Sequence, residues 1–307
     1  MEHVIETKNL TKKYGGLNVV DAVSLKVKKG EIYGFLGLNG AGKTTTIRML
    51  LGMVRPTSGE SYLNGARVNA GNRALWNKIG YLVEIPYSYP DLTVKENLEM
   101  MRRLRLIPDA GVVDAGIEKL RLGPYRDIKA KNLSLGNAQR LGLAKALMHN
   151  PDILLLDEPA NGLDPAGIVE IRELLFSLSR DRGAAIFISS HILGEISKFA
   201  TRIGIIHQGK LIQEMDIGQL EKLRKRRLLI DVHNKNSARS FLEKFGFSAT
   251  FAENGFLELS DSDAINNPEK VNGSLVEAGY PPFMVKVEEE DLETYFLRAI
   301  GHTGGHA

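Results

Sequence analysis

One octapeptide constrains this chain more than anything else in it. Gly37-Leu38-Asn39-Gly40-Ala41-Gly42-Lys43-Thr44 matches the spacing G-x-x-x-x-G-K-[ST]. Glycines so placed let successive backbone N–H groups turn inward around phosphate oxygens. A helix beginning near Thr44 adds its positive dipole end. Lys43 can reach the β- and γ-phosphates of a nucleotide, and the Thr44 hydroxyl can ligate Mg²⁺. Such a loop needs a strand before it and a helix after it. Residues 32–36 read as a buried strand and residues 44–51 as the following helix.

The surrounding pattern agrees. Residues 1–215 alternate strand-like and helix-like stretches, which predicts an α/β domain with a largely parallel sheet. Residues 153–156 form an apolar strand ending in Asp157 and Glu158. Successive strand residues point to opposite faces, so the two acids are expected to act differently. Asp157 fits a magnesium role, and Glu158 fits a general base that polarises an attacking water. Solvated acids at an ordinary strand end are the alternative. A second apolar strand, 185–189, leads into Ser189-Ser190-His191, where His191 could bond a γ-phosphate or orient the water. A helix is expected over 166–180 and a hairpin over 202–215, turning at Gln208-Gly209. Residues 94–122, broken at Pro108, read as a mostly helical insertion.

Composition excludes several other chemistries. The chain has 307 residues and no cysteine, so disulfides, thiolate metal sites and a cysteine nucleophile are ruled out. The net charge of +3 is too small to imply a nucleic-acid partner. Its distribution is uneven: residues 216–307 hold 11 basic and 15 acidic side chains, leaving 29 and 22 for residues 1–215. The larger, basic part suits an anionic ligand. No apolar stretch approaches the ~20 residues of a membrane span, and the N-terminus lacks a signal-peptide core. A cytoplasmic location is expected.

The texture changes after Met215. A linker helix is predicted over 216–227, then a small α+β domain over 228–307. Its elements read strand, helix, two strands joined through Asn254-Gly255, helix, strand, which is the ferredoxin-like βαββαβ order. A last helix is expected over 291–300. The basic run 222–227 and the acidic run 288–293 read as solvated faces.

The motifs together resemble the ATP-binding subunits of ABC transporters. Leu133-Ser134-Leu135-Gly136-Asn137 with Ala138-Gln139-Arg140 resembles the family signature, Asn161-Gly162-Leu163-Asp164 its D-loop, and His191 its switch histidine. Tyr14 lies where the family stacks an aromatic ring on adenine. The resemblance covers residues 1 to about 215 and implies a P-loop NTPase fold of the ABC ATPase type. It implies ATP and Mg²⁺ as ligands. The nucleotide would be held by Tyr14, residues 37–44, Thr45 and Ser134, Leu135, Gly136 and Asn137. The metal would be held by Thr44, Glu84 and Asp157. Two departures stand out: the signature reads LSLGN rather than LSGGQ, and Glu84 stands where the family normally has Gln. Glu at that position resembles the subgroup that exports bacitracin, lantibiotics and similar peptide antibiotics. The resemblance further implies a head-to-tail dimer, with itself or a similar chain, and a separate integral membrane permease that holds it at the inner face of the membrane. A soluble ABC ATPase acting on ribosomes or DNA, and a non-catalytic ATP sensor, are the alternatives.

Overall fold

The computed structural model describes residues 2–69, 71–84, 86–252 and 254–301. It divides into two compact units, Met1–Ile217 and Gly218–Ala307. The first opens with β1 (His3–Tyr14), β2 (Leu17–Lys28), β3 (Ile32–Leu36), α1 (Lys43–Leu50), β4 (Ser58–Leu63) and β5 (Ala66–Arg67). There follow α2 (Arg73–Trp76), β6 (Ile79–Leu82), α3 (Val94–Leu104), α4 (Gly111–Lys119) and α5 (Leu135–Leu147). It closes with β7 (Ile153–Asp157), α6 (Pro165–Arg182), β8 (Ala185–Ser190), α7 (Leu193–Ile196), β9 (Arg202–His207) and β10 (Lys210–Asp216).

Six strands form one sheet in the order β10-β9-β3-β8-β7-β6, parallel except for β10. Every residue of β3, β7 and β8 is buried. Buried parallel strands covered on both faces read as unbroken apolar runs. Phe187 packs between Tyr33 and Phe35, with ring centroids at 5.5 and 5.2 Å. The sheet therefore brings the ends of β3, β7 and β8 side by side, and open α/β sheets bind ligands beyond their strands' carboxyl ends.

A second, wholly antiparallel sheet, β2-β1-β4-β5, departs from the largely parallel expectation. Its hairpin turns at Gly15-Gly16, both with positive φ (53° and 89°), which suits a two-residue turn matching strand twist. The helical insertion has the expected break. α3 starts in a capping box between Thr93 and Glu96, and α4 begins after Pro108. The hairpin of β9 and β10 turns at Gln208-Gly209.

From the boundary onward come α8 (Ile217–Leu223), β11 (Arg226–Val232), α9 (Lys235–Lys244), β12 (Ala249–Phe251), β13 (Leu257–Leu259), α10 (Ser262–Asn266), α11 (Pro268–Glu277), β14 (Pro282–Glu289) and α12 (Leu292–Ala299). The second unit's sheet runs β12-β13-β11-β14 with every neighbour antiparallel, the arrangement of a split βαβ fold. Leu228, Ile230 and Val232 of β11 share a core with Ala238, Leu242, Val271 and Leu275 from the helices. The linker helix is shorter than expected: α8 ends at Leu223, and Arg226 and Arg227 belong to β11, opposite Glu289 and Glu288. Cross-strand charge pairing outcompetes the local helical pattern there. Glu253, before the Asn254-Gly255 turn, and residues 302–307 lie outside the described residues. Among the described residues no helix is long and apolar enough to cross a membrane.

Candidate active site at the strand ends

β3 runs straight into the glycine loop. A Cβ on Gly37 would sit 2.6 Å from the Ile206 carbonyl oxygen, and one on Gly42 the same distance from that of Val19. Gly42 also has φ +109°, so neither position tolerates a side chain. The loop delivers the chain to α1 with no side-chain cap on its first turn. The N–H groups of that turn stay available to an anion. Leu38, Asn39 and Gly40 are exposed, while Thr44 and Thr45 are half-buried in the first turn. Lys43 is only 5% exposed. Its Nζ donates to the Gly37 carbonyl at 2.6 Å and the Leu38 carbonyl at 3.3 Å, and lies 3.2 Å from Glu158 Oε1.

The two acids at the end of β7 diverge, but not by strand alternation. Asp157 ends the strand and Glu158 takes φ +47°, so the chain turns left-handed between them. Asp157 accepts from the Thr44 hydroxyl at 2.8 Å and from the Ser189 hydroxyl. Glu158 lies between Lys43 and His191, whose Nδ1 is 2.9 Å from Oε2. The turn is pinned: the Glu158 N–H donates to the Ser189 carbonyl and hydroxyl at 3.2 and 3.1 Å, and Gln139 Nε2 donates to the Glu158 carbonyl at 3.2 Å. Lys43, Thr44, Asp157, Glu158 and His191 thus form one connected cluster.

The donors suit magnesium carried by a phosphate ligand. Thr44 and Asp157 offer adjacent oxygens, and among the described residues no group of three or more histidines and carboxylates could cage a metal. Mg²⁺ characteristically takes one or two protein oxygens together with substrate phosphates. Glu84, expected as a further ligand, instead forms an ion pair with Arg48 of α1 and has φ +58°. Tyr14 ends β1 with its ring 48% exposed and the Lys12 ammonium 5.0 Å from its centroid.

The signature residues stand apart from this cluster. Ser134 caps α5, accepting from the Asn137 N–H at 3.3 Å, and Leu135 is 56% exposed. A Cβ on Gly136 would come within 2.7 Å of the Gly162 carbonyl oxygen. The segments around 134–137 and 162–164 therefore form one surface, flanking a cleft of about 370 Å³ that Tyr125 also lines. From the same helix, buried Lys145 donates to the Tyr87 carbonyl at 3.0 Å and the Ser88 hydroxyl at 2.7 Å. Burial pushes its ammonium down to about 8. Sequence reasoning missed Arg48, Gln139 and Ser189 as parts of the site. All three are ordinary polar residues inside segments already noticed, and only their partners mark them.

Three comparisons bear on this arrangement. A family model described as ABC transporter matches residues 20–161. The bacitracin transport ATP-binding protein BcrA of Bacillus licheniformis is 40% identical over 303 residues, 98% of each chain. The lantibiotic transport ATP-binding protein SrtF of Streptococcus pyogenes is 37% identical over 220 residues, covering 72% of this chain and 94% of that one. Among solved structures, the dimeric post-hydrolysis state of the ATP-binding cassette MJ0796, bound to ADP and Pi, superposes with a TM-score of 0.65 at 27% identity. It covers 69% of this chain and 98% of that chain.

Proposed function

The chain belongs to the ABC transporter family, and on that premise we propose that it binds and hydrolyses ATP to drive a separate membrane permease that exports a peptide antibiotic such as bacitracin, or a similar drug-like molecule. The observation that carries the catalytic part is the cluster at the ends of β3, β7 and β8. Lys43 meets Glu158 there, Glu158 meets His191, and Thr44 meets Asp157. The full-length likeness to a bacitracin transport protein supports the substrate class.

In this reading the N–H groups of residues 37–45 and the Lys43 ammonium hold the triphosphate. Lys43 exchanges its present carbonyl acceptors for phosphate oxygens. Thr44 and Asp157 would hold Mg²⁺, and the ion would supply charge neutralisation at the phosphates. Tyr14 stacks on the adenine ring. Glu158 takes a proton from a water whose oxygen attacks the γ-phosphorus in line. The bond from that phosphorus to the bridging oxygen breaks, leaving ADP and inorganic phosphate. His191 holds Glu158 in position and meets the γ-phosphate. Positioning and electrostatics do most of the work in such a transfer. Ser134, Gly136 and Asn137 line a separate cleft and Leu135 is exposed, which supports a role for the four on the nucleotide of a second ATP-binding chain, with closure of the pair completing both sites.

Glu158→Gln tests the chemistry. Turnover should fall by ~10²–10⁴-fold, the range for losing a general base, while ATP affinity is retained. Near-normal turnover would overturn the assignment. Purification of tagged chain from detergent-solubilised membranes tests the partner: a polytopic protein in equal amount supports the transporter, and ribosomal or DNA-repair proteins without one overturn it.

A further inference from the structure

Glu84 brings a negative charge to a place where a bound triphosphate is already strongly anionic. Its carboxylate pairs with the Arg48 guanidinium. Arg48 lies four residues after Thr44 on α1, so the two side chains share one helix face, one turn apart. Its helix neighbours Ile47, Met49 and Leu50 are fully buried, whereas the Arg48 side chain is 37% exposed. Its side chain is therefore not needed to fill the core. Glu84 itself adopts φ +58°, a conformation that a non-glycine residue holds only when its surroundings favour it.

We propose that Arg48 is a positioning residue for Glu84, holding it beside α1 and cancelling its charge, so that this loop accepts a nucleotide as a neutral loop would. The inference rests on the ATP-binding reading above. Exposed ion pairs contribute little to stability, and stability is not the effect expected here. The effect is on the field at the phosphates. Repulsion of ~1.4 kcal/mol between an uncompensated carboxylate and the phosphates weakens binding about tenfold.

A double-mutant cycle on the full chain tests it, with ATP affinity read by displacement of a fluorescent nucleotide, in EDTA and again with Mg²⁺. Arg48→Met should weaken ATP binding about tenfold. Arg48→Lys, which keeps the charge, should recover most of that loss. Glu84→Gln combined with Arg48→Met should return within about twofold of wild type, and the coupling should shrink at high salt. The proposal is overturned if Arg48→Met costs as much in the Glu84→Gln background as in the wild-type one. It is equally overturned by no loss at all, or by Arg48→Lys as poor as Arg48→Met. Wild-type chain that binds no nucleotide would remove the proposed function and this inference together. Normal wild-type binding without coupling removes the inference alone.

Discussion

Both units carry many ion pairs, but their most concentrated charges are arranged differently. In the first, acids at the strand ends gather around a buried lysine and two hydroxyls: Glu158 on Lys43, Asp157 on Thr44 and Ser189. In the second, charges largely cancel in pairs. Arg227 holds Glu258 at 2.7 Å and Glu288 at 2.8 Å, Arg224 holds Glu289 at 3.1 Å, and Arg298 holds Glu290 at 2.7 Å. The basic and acidic runs that stand out in the sequence thus meet across neighbouring strands. A run of like charge is weak evidence for a ligand site when its complement lies on the next strand. Carboxylates beside a phosphate-binding loop, with polar partners that a ligand can displace, are stronger evidence.

The largest expected effect that could break this contrast is in the cores. Phe187→Ala removes the ring between Tyr33 and Phe35 and should cost the first unit ~3–5 kcal/mol, with ATP binding lost near its new melting point. Ile230→Ala should cost the second unit ~2–4 kcal/mol and leave ATP affinity within about twofold. Calorimetry alongside nucleotide titration checks both, and equal loss of binding from the two would erase the distinction. Next in size, Lys43→Ala should weaken ATP binding about 10- to 100-fold, the value of a charge-assisted contact. Isothermal titration reads this directly, and unchanged affinity would refute the role.

Two helix caps sharpen the contrast further. Ser134 caps α5 and Asp291 caps α12, the latter accepting from the Thr294 N–H at 2.7 Å. Replacing either with Ala should cost ~1 kcal/mol in stability. Only Ser134→Ala should also depress turnover, so parallel melts and rate assays separate cap from site.

The remaining effect shows only in acid. Burial holds His149 down at about 4, so its contribution to stability is complete above its ordinary 6.5 and is lost as pH falls from 6.5 through about 4. In the second unit, Arg298 holds the Glu290 carboxyl below its ordinary 4.5, and Arg227 does the same for Glu288. Those contributions fade only as pH falls below about 4.5. The first unit should therefore start to weaken at a higher pH, and His149→Gln should reduce that early loss. Urea melts from pH 7 to 4 with a fluorescent reporter in each unit would show it.

Much of the site is legible because its motifs are contiguous. The glycine loop, the run 153–158 and the hairpin turn at Gln208-Gly209 each announce themselves within about eight residues. The antiparallel sheet is not legible, because β1 pairs with β4, in the register Glu6 to Tyr62, and no local pattern names a partner so far along the chain. The overextended linker helix fails for the same reason: Arg226 and Arg227 suit a helix until Glu289 and Glu288 arrive opposite them. Glu158 lies beside Lys43 and His191, yet strand alternation is the wrong cause, since a left-handed turn aims its carboxylate.

By itself, then, the sequence determined the kinds of chemistry present. A phosphate loop, its lysine, its hydroxyl and a pair of acids are written in short spacings that local backbone geometry obeys. Tertiary structure alone decided which of them meet. Thr44 reaches Asp157 across 113 residues, and Ser189 reaches it across 32, because β3, β8 and β7 are neighbours in one buried sheet. Arg48 finds Glu84 across 36 residues because α1 and the loop after β6 are brought together. Such contacts depend on strand order and packing, which are properties of the whole chain's burial and of no single segment.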